Sequence, residues 1–226
     1  MGTTDALPTL GAGVTSLYSP SATGALRRLV VDELRRRDGP AYWIDTGAHA
    51  SSYALYDLAP SERALSDLRV ARAFTAYQHR ELVDRVARRA DPETSLVVVA
   101  DATRLYADPD VPDADGAAML DASLARLAAV AATCDAPVLL GVSSDAGDRL
   151  AERVRDCADR ELACERTSHG LRFEGPDYET LVYREDGYRQ TTIPYWVELL
   201  GAVAEHREVG VDAPPSPTDA LLAGVR

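Results

Sequence analysis

Asp45, His49, Asp101 and Asp145 are the side chains whose types and positions could do chemistry. Asp45 closes the apolar run AYWID, and His49 follows in DTGAHA. Asp101 closes SLVVVAD, and Asp145 lies in SSDAGD. Two carboxylates at neighbouring strand ends can hold Mg²⁺ directly or through waters, and an imidazole beside them can act as a base. The same aspartates can equally cap turns. A second stretch, LYSPSATGALRRLV (Leu17–Val30), runs from a strand through small residues into an amphipathic helix. That is where a phosphate-binding loop would sit.

Elements that would place these residues follow from hydrophobic periodicity. Strands are expected at 14–18, 41–45, 69–74, 95–101 and 137–143. Helices are expected at 23–37, 76–90, 114–134 and 146–159, with one or two short helices between 46 and 68, broken at Pro60. Helix 23–37 turns Leu26, Leu29, Val30 and Leu34 to one side and Arg27, Arg28, Arg35 and Arg36 to solvent. Thr75 is placed to cap helix 76–90, and His79 lies on its inner face. This alternation predicts an α/β fold with a parallel sheet covered on both faces. After residue 160 the short runs ELACERT, LRFEGP and YETLVYRE predict antiparallel strands that extend the sheet. Pro194 opens a last helix. The expected organisation is an N-terminal extension (1–12), a core domain (13–205) and a flexible Pro-rich tail (206–226). In such a sheet, ligands bind beyond the carboxyl ends of the strands.

The 226 residues carry 36 acids against 24 bases, a net charge of −12. Every base is Arg; the chain has neither Lys nor Asn. Schiff-base chemistry and a lysine phosphate clamp are therefore excluded. An acid surplus of this size fits adaptation to high salt. Cys134, Cys157 and Cys164 form no CxxC pair, so neither zinc nor a disulfide framework is expected, and His169 does not complete one. MGTTDALPTL lacks the basic and apolar regions of a signal peptide. No stretch approaches the roughly 18 apolar residues of a membrane span. A cytoplasmic protein that does not enter membranes is the expectation.

The order of these features resembles the ATPase core of the RecA/RadA recombinase superfamily, with its RadB- and KaiC-like relatives. AYWIDTGAHASSY is similar to the family's strand ending in Asp-Thr-Glu-Gly. RVARAFTAYQHRELV resembles the RadA segment with an Ala-Arg-Ala-Phe strand and a helix carrying Gln and His. SLVVVADATRLY looks like Walker B, with Asp101 at the acid position, and RQTTIPYWVELL closes the core. The likeness spans about residues 12–200. It implies a RecA-like three-layer sandwich and, with the acidic lysine-free composition, a haloarchaeal source.

Departures from that pattern carry the functional expectation. Against GxxxxGK[ST] the chain offers Ser19, Pro20, Ser21, Ala22, Thr23, Gly24, Ala25 and Leu26. Only Gly24 matches. Pro20 removes an N–H donor, Ala25 stands at the lysine position, and Leu26 replaces the hydroxyl that binds magnesium. The family's glutamate after Asp45-Thr46 is Gly47. Phosphoryl transfer needs these groups together. The resemblance thus implies a degenerate pseudo-ATPase with no catalytic residues, no cofactor and no metal. It would be an interaction or regulatory subunit in DNA repair, recombination or replication, self-associating or bound to a protein partner. Direct nucleic-acid binding is not expected, because the acidic loop YADPDVPDADG (106–116) would repel phosphates. The alternatives are a metal-dependent hydrolase built on Asp45, His49, Asp101 and Asp145, and a nucleotide sensor without hydrolysis.

Overall fold

The computed structural model describes residues 7–19, 24–143, 148–167, 170–175, 178–185 and 188–191. All lie in the first of two compact units, Met1–Thr192; the second, Ile193–Arg226, with the expected last helix and tail, lies outside the described residues.

The chain alternates strands and helices. These are β1 (Gly13–Ser19), α1 (Ala25–Arg36), β2 (Ala41–Asp45), α2 (Ser52–Tyr56), β3 (Leu68–Arg72), α3 (Ala76–Arg89) and β4 (Leu96–Val99). There follow α4 (Asp113–Cys134), β5 (Pro137–Ser143), α5 (Asp148–Cys157), β6 (Arg160–Thr167), β7 (Gly170–Gly175), β8 (Tyr178–Glu185) and β9 (Tyr188–Thr191). The sheet has nine strands in the order β3-β2-β4-β5-β1-β6-β7-β8-β9. The first six pair in parallel, and β6 to β9 pair antiparallel. The expected α/β class, with a mostly parallel sheet continued by C-terminal antiparallel strands, is what the chain adopts. β9 is an addition the sequence did not suggest.

Two apolar layers follow from the period-2 alternation of buried strands. Tyr42, Ile44, Val97, Val99, Val138 and Leu140 face one side, where α3, α4 and α5 pack. Ala41, Trp43, Leu96, Val98 and Leu139 face the other, against α1 and Leu55 of α2. Leu7 and Leu10 are buried in this second layer. Trp43 is 1% exposed at its centre.

Three expectations need correction. β4 stops at Val99, two residues before Asp101. Asp101 takes a left-handed backbone (φ 47°) that ends the ladder, so it sits in the turn rather than in the strand. The acidic stretch 106–116 is only partly loop: a 3-10 turn covers Arg104–Ala107, and α4 begins at Asp113. Finally, α4, at 22 residues, is long and apolar enough by composition to cross a membrane, contrary to the sequence reading. Its Met119, Leu120, Leu124, Leu127 and Val130 are buried in the first layer.

Candidate functional site

Parallel strands deliver their carboxyl ends to one end of the sheet, so the last residues of β1, β2, β4 and β5 are gathered there. β2 and β4 are direct neighbours, so Asp45 at the end of β2 and Asp101 in the turn after β4 come to the same end of the sheet.

Asp45 is the last residue of β2 and is fully buried. Its Oδ2 accepts from Arg72 on neighbouring β3, with Nε at 3.1 Å and Nη2 at 3.0 Å. Its Oδ1 accepts from the backbone N–H of His49 at 3.0 Å. Both oxygens are thus engaged by the chain's own donors. Thr46 is tied down as well, donating from Oγ1 to the Ala100 carbonyl at 2.9 Å.

The Nε2 of His49 lies 2.6 Å from Oδ2 of Asp101. Arg104, in the turn that follows, approaches the same oxygen at 3.9 Å. The His49 pKa is raised, chiefly by the hydrogen bond to Asp101, with the Asp101 and Asp45 charges adding and burial and Arg27 opposing. Arg27 donates from Nη1 to the His49 carbonyl at 3.1 Å. This corrects the helical-wheel placement of Arg27 on the solvent face: it reaches across to the turn after β2.

Gly24 opens α1 with a left-handed backbone (φ 71°), which glycine adopts without strain, and no side chain caps the helix. Leu26 then turns toward β5. A Cβ added at Gly141 would meet its Cδ2 at 3.4 Å and the Asp101 backbone nitrogen at 3.6 Å. The Leu26 methyls and the Asp101 backbone nitrogen thus both lie beside Gly141. Gly47 is hemmed in too: a Cβ there would lie 2.8 Å from Arg104 Nη1 and 3.1 Å from His49 Nε2. A glutamate at this position would require both side chains to move.

The structure brings Asp45, His49, Asp101, Gly24, Ala25 and Leu26 to one end of the sheet, with Ser19 closing β1. Pro20, Ser21, Ala22, Thr23 and Asp145 lie outside the described residues, as does His169. Among the described residues no group of three or more His, Cys, Asp or Glu could hold a metal ion, and the three cysteines are free.

His79 is 2% exposed on the inner face of α3, as expected, but only half satisfied. Its Nδ1 is 2.7 Å from the Tyr106 hydroxyl, which is 2.8 Å from Ser123 Oγ, while Nε2 has no partner. Burial lowers the His79 pKa to about 4 and pushes Tyr106 up to about 12. This buried chain links α3 and α4 through the turn that follows Asp101. Thr75 caps α3, accepting from Gln78 N–H, and Gln78 accepts from Phe74 N–H in return.

Two features escaped sequence reasoning. Glu33 is 1% exposed and accepts from Leu10 N–H, Arg36 and Arg37. Its spacing of four from Leu29 and three from Val30 was the available signal. The other is an exposed aromatic group, Tyr53 and Tyr56 on α2 and Phe74 and Tyr77 around the start of α3, 51–84% exposed.

Comparison with protein-family models finds no match, and none of the curated proteins matches the chain.

Proposed function

We propose that this chain is a non-catalytic RecA/RadA-like paralogue that acts as an interaction or regulatory subunit. One observation carries the reading: the groups standing where nucleotide chemistry would be done are satisfied by the protein itself. The Asp101 carboxylate is taken by His49 at 2.6 Å and approached by Arg104 at 3.9 Å. Asp45 is taken by Arg72 and the His49 amide. A divalent cation would have to displace these cations. The same engagement argues against the metal-dependent hydrolase. The sheet order, with β2 beside β4 and β5 beside β1, is compatible with a RecA-like sandwich.

Support for the interaction role comes from the sheet edge. Among the described residues β3 is the outermost strand, so one side of its backbone has no neighbour in the sheet there. Val70 on it is 45% exposed, and Phe74 just beyond is 71% exposed. Edge strands and exposed apolar groups are common elements of protein interfaces. A protein partner or a second copy is the proposed occupant, and the connection to DNA repair, recombination or replication comes from family analogy.

Affinity capture in molar KCl from the native host, with wild type and a Phe74→Ala/Tyr77→Ala variant, tests this. A repair, recombination or replication protein, or the chain itself, should be retained by wild type and lost with the variant. Divalent-dependent turnover abolished by Asp101→Ala would overturn the reading.

A further inference from the structure

The connection between β2 and β3 is unusual in how it is held. Over residues 47–66 the backbone hydrogen bonds described are local, running within α2, its flanks and the 3-10 turn at Glu62–Leu65. Among the described residues, the hydrogen bonds that tie residues 47–59 to other elements all use His49. Its carbonyl accepts from Arg27 on α1, its N–H donates to Asp45, and its ring meets Asp101 after β4. The remaining attachment is apolar and modest. Leu55 is buried, and Ala50, Leu58, Ala59 and Leu65 are only partly so. Tyr53 and Tyr56 project into solvent.

The latch also sits on a strained backbone. Ala48, next to His49, has φ 65°, and its contact partner Asp101 has φ 47°. A left-handed alanine is disfavoured by its Cβ and persists only where surrounding contacts impose it. Few buried apolar contacts, short helices and stored strain are the properties of a segment that opens separately from the core.

From this geometry we infer that residues 47–59 form a strap across the ends of β2 and β4, latched through the single residue His49 and able to open while the sheet stays intact. Opening breaks the His49–Asp101 contact and uncovers the Asp101 carboxylate, whose side chain is 12% exposed in the closed form. It also frees α2 with its two exposed tyrosines. The strap goes beyond the proposed function; both use the His49–Asp101 contact, but exchange in 47–59 reads the strap and nucleotide titration reads the function, so their failures are distinguishable. A strap that fails its test leaves the nucleotide reading standing, and the reverse holds too.

Hydrogen exchange read by mass spectrometry on the full chain, at one pH and salt concentration, tests the strap. The variants are His49→Ala, Asp101→Asn and the double substitution. Asn tolerates the left-handed backbone, so Asp101→Asn removes the charge with least disturbance. Losing a hydrogen bond to a charged group should raise the opening equilibrium by at least about tenfold. Exchange should therefore quicken by that factor across 47–59, while β4 amides stay unchanged. The double variant should match the singles, because both remove one contact. Unchanged exchange in 47–59, a uniform rise that includes β4, or additive effects in the double variant would overturn the strap.

Discussion

The ring of His49 and the carboxylate of Asp101, 52 residues apart in sequence, meet at 2.6 Å across the ends of two adjacent parallel strands. A carboxylate that would otherwise attract a metal is spent on an internal ion pair. The contact has consequences for stability, pH response and attempted repair of the site.

The raised His49 pKa gives a pH dependence with a definite sign. The folded state holds the proton more tightly than the unfolded chain, whose histidine titrates near the ordinary value of about 6.5. The stabilisation is therefore complete below that value and is lost as pH rises through the higher folded pKa. Urea denaturation between pH 6 and pH 9 in molar KCl should show the midpoint falling with pH, and His49→Gln should flatten that slope. A midpoint in wild type that rises over this range would contradict the assignment.

His79 works in the opposite direction. Its folded pKa of about 4 means the unfolded state takes up the proton first as pH drops below about 6.5. Stability should fall between about pH 6.5 and 4, by roughly 3 kcal/mol over the whole window. His79→Gln should remove most of this acid slope. Separately, Tyr106→Phe should cost about 1–3 kcal/mol at neutral pH, because it leaves His79 Nδ1 and Ser123 without their partner. Denaturation curves at pH 7 and 4.5 read both effects.

Arg72→Ala strips the guanidinium from Asp45, a carboxylate with no solvent exposure. Breaking a fully buried pair costs about 3–5 kcal/mol. Arg72 is 41% exposed, so water can partly replace it and about 2–3 kcal/mol is the expected loss. Arg72→Ala with Asp45→Asn should recover part of that loss. A recovery of zero in equilibrium unfolding would show that the pair is not coupled.

On the proposed reading, installing phosphate-loop residues should not create nucleotide binding. Ala25→Lys with Leu26→Thr supplies a cation and a hydroxyl, yet Asp101 stays engaged by His49 and Arg104, and Gly47 stays crowded. Calorimetric titration of this double variant with ATP and magnesium should give no measurable heat. Heat should emerge only once His49→Ala is added.

Much of the fold was legible because buried parallel strands are continuous apolar runs with clear stops. β2 and β5 begin and end where AYWID and PVLLGVS do, since Pro40, Pro137 and the turns after them punctuate the chain. β4 was read two residues too far at its C-terminal end because nothing in SLVVVAD signals that Asp101 turns left-handed. Arg27 was misplaced because a helical wheel describes one helix, while its partner is a carbonyl in another element. Of the site, the gathering of Asp45 and Asp101 followed from strand order. The pairing of His49 with Asp101 could not, because it depends on the path of a turn with Ala48 in an unfavoured conformation. Glu33 was hidden by its charge, although its spacing put it on the apolar face.

The most direct test of the central claim is a thermal-unfolding titration of the wild-type chain with ATP and Mg²⁺ in molar KCl. Any ligand that prefers the folded state must raise the melting temperature as its concentration passes Kd. The account predicts no shift up to millimolar nucleotide, with or without magnesium. A saturable, magnesium-dependent rise that Asp101→Ala abolishes would contradict it.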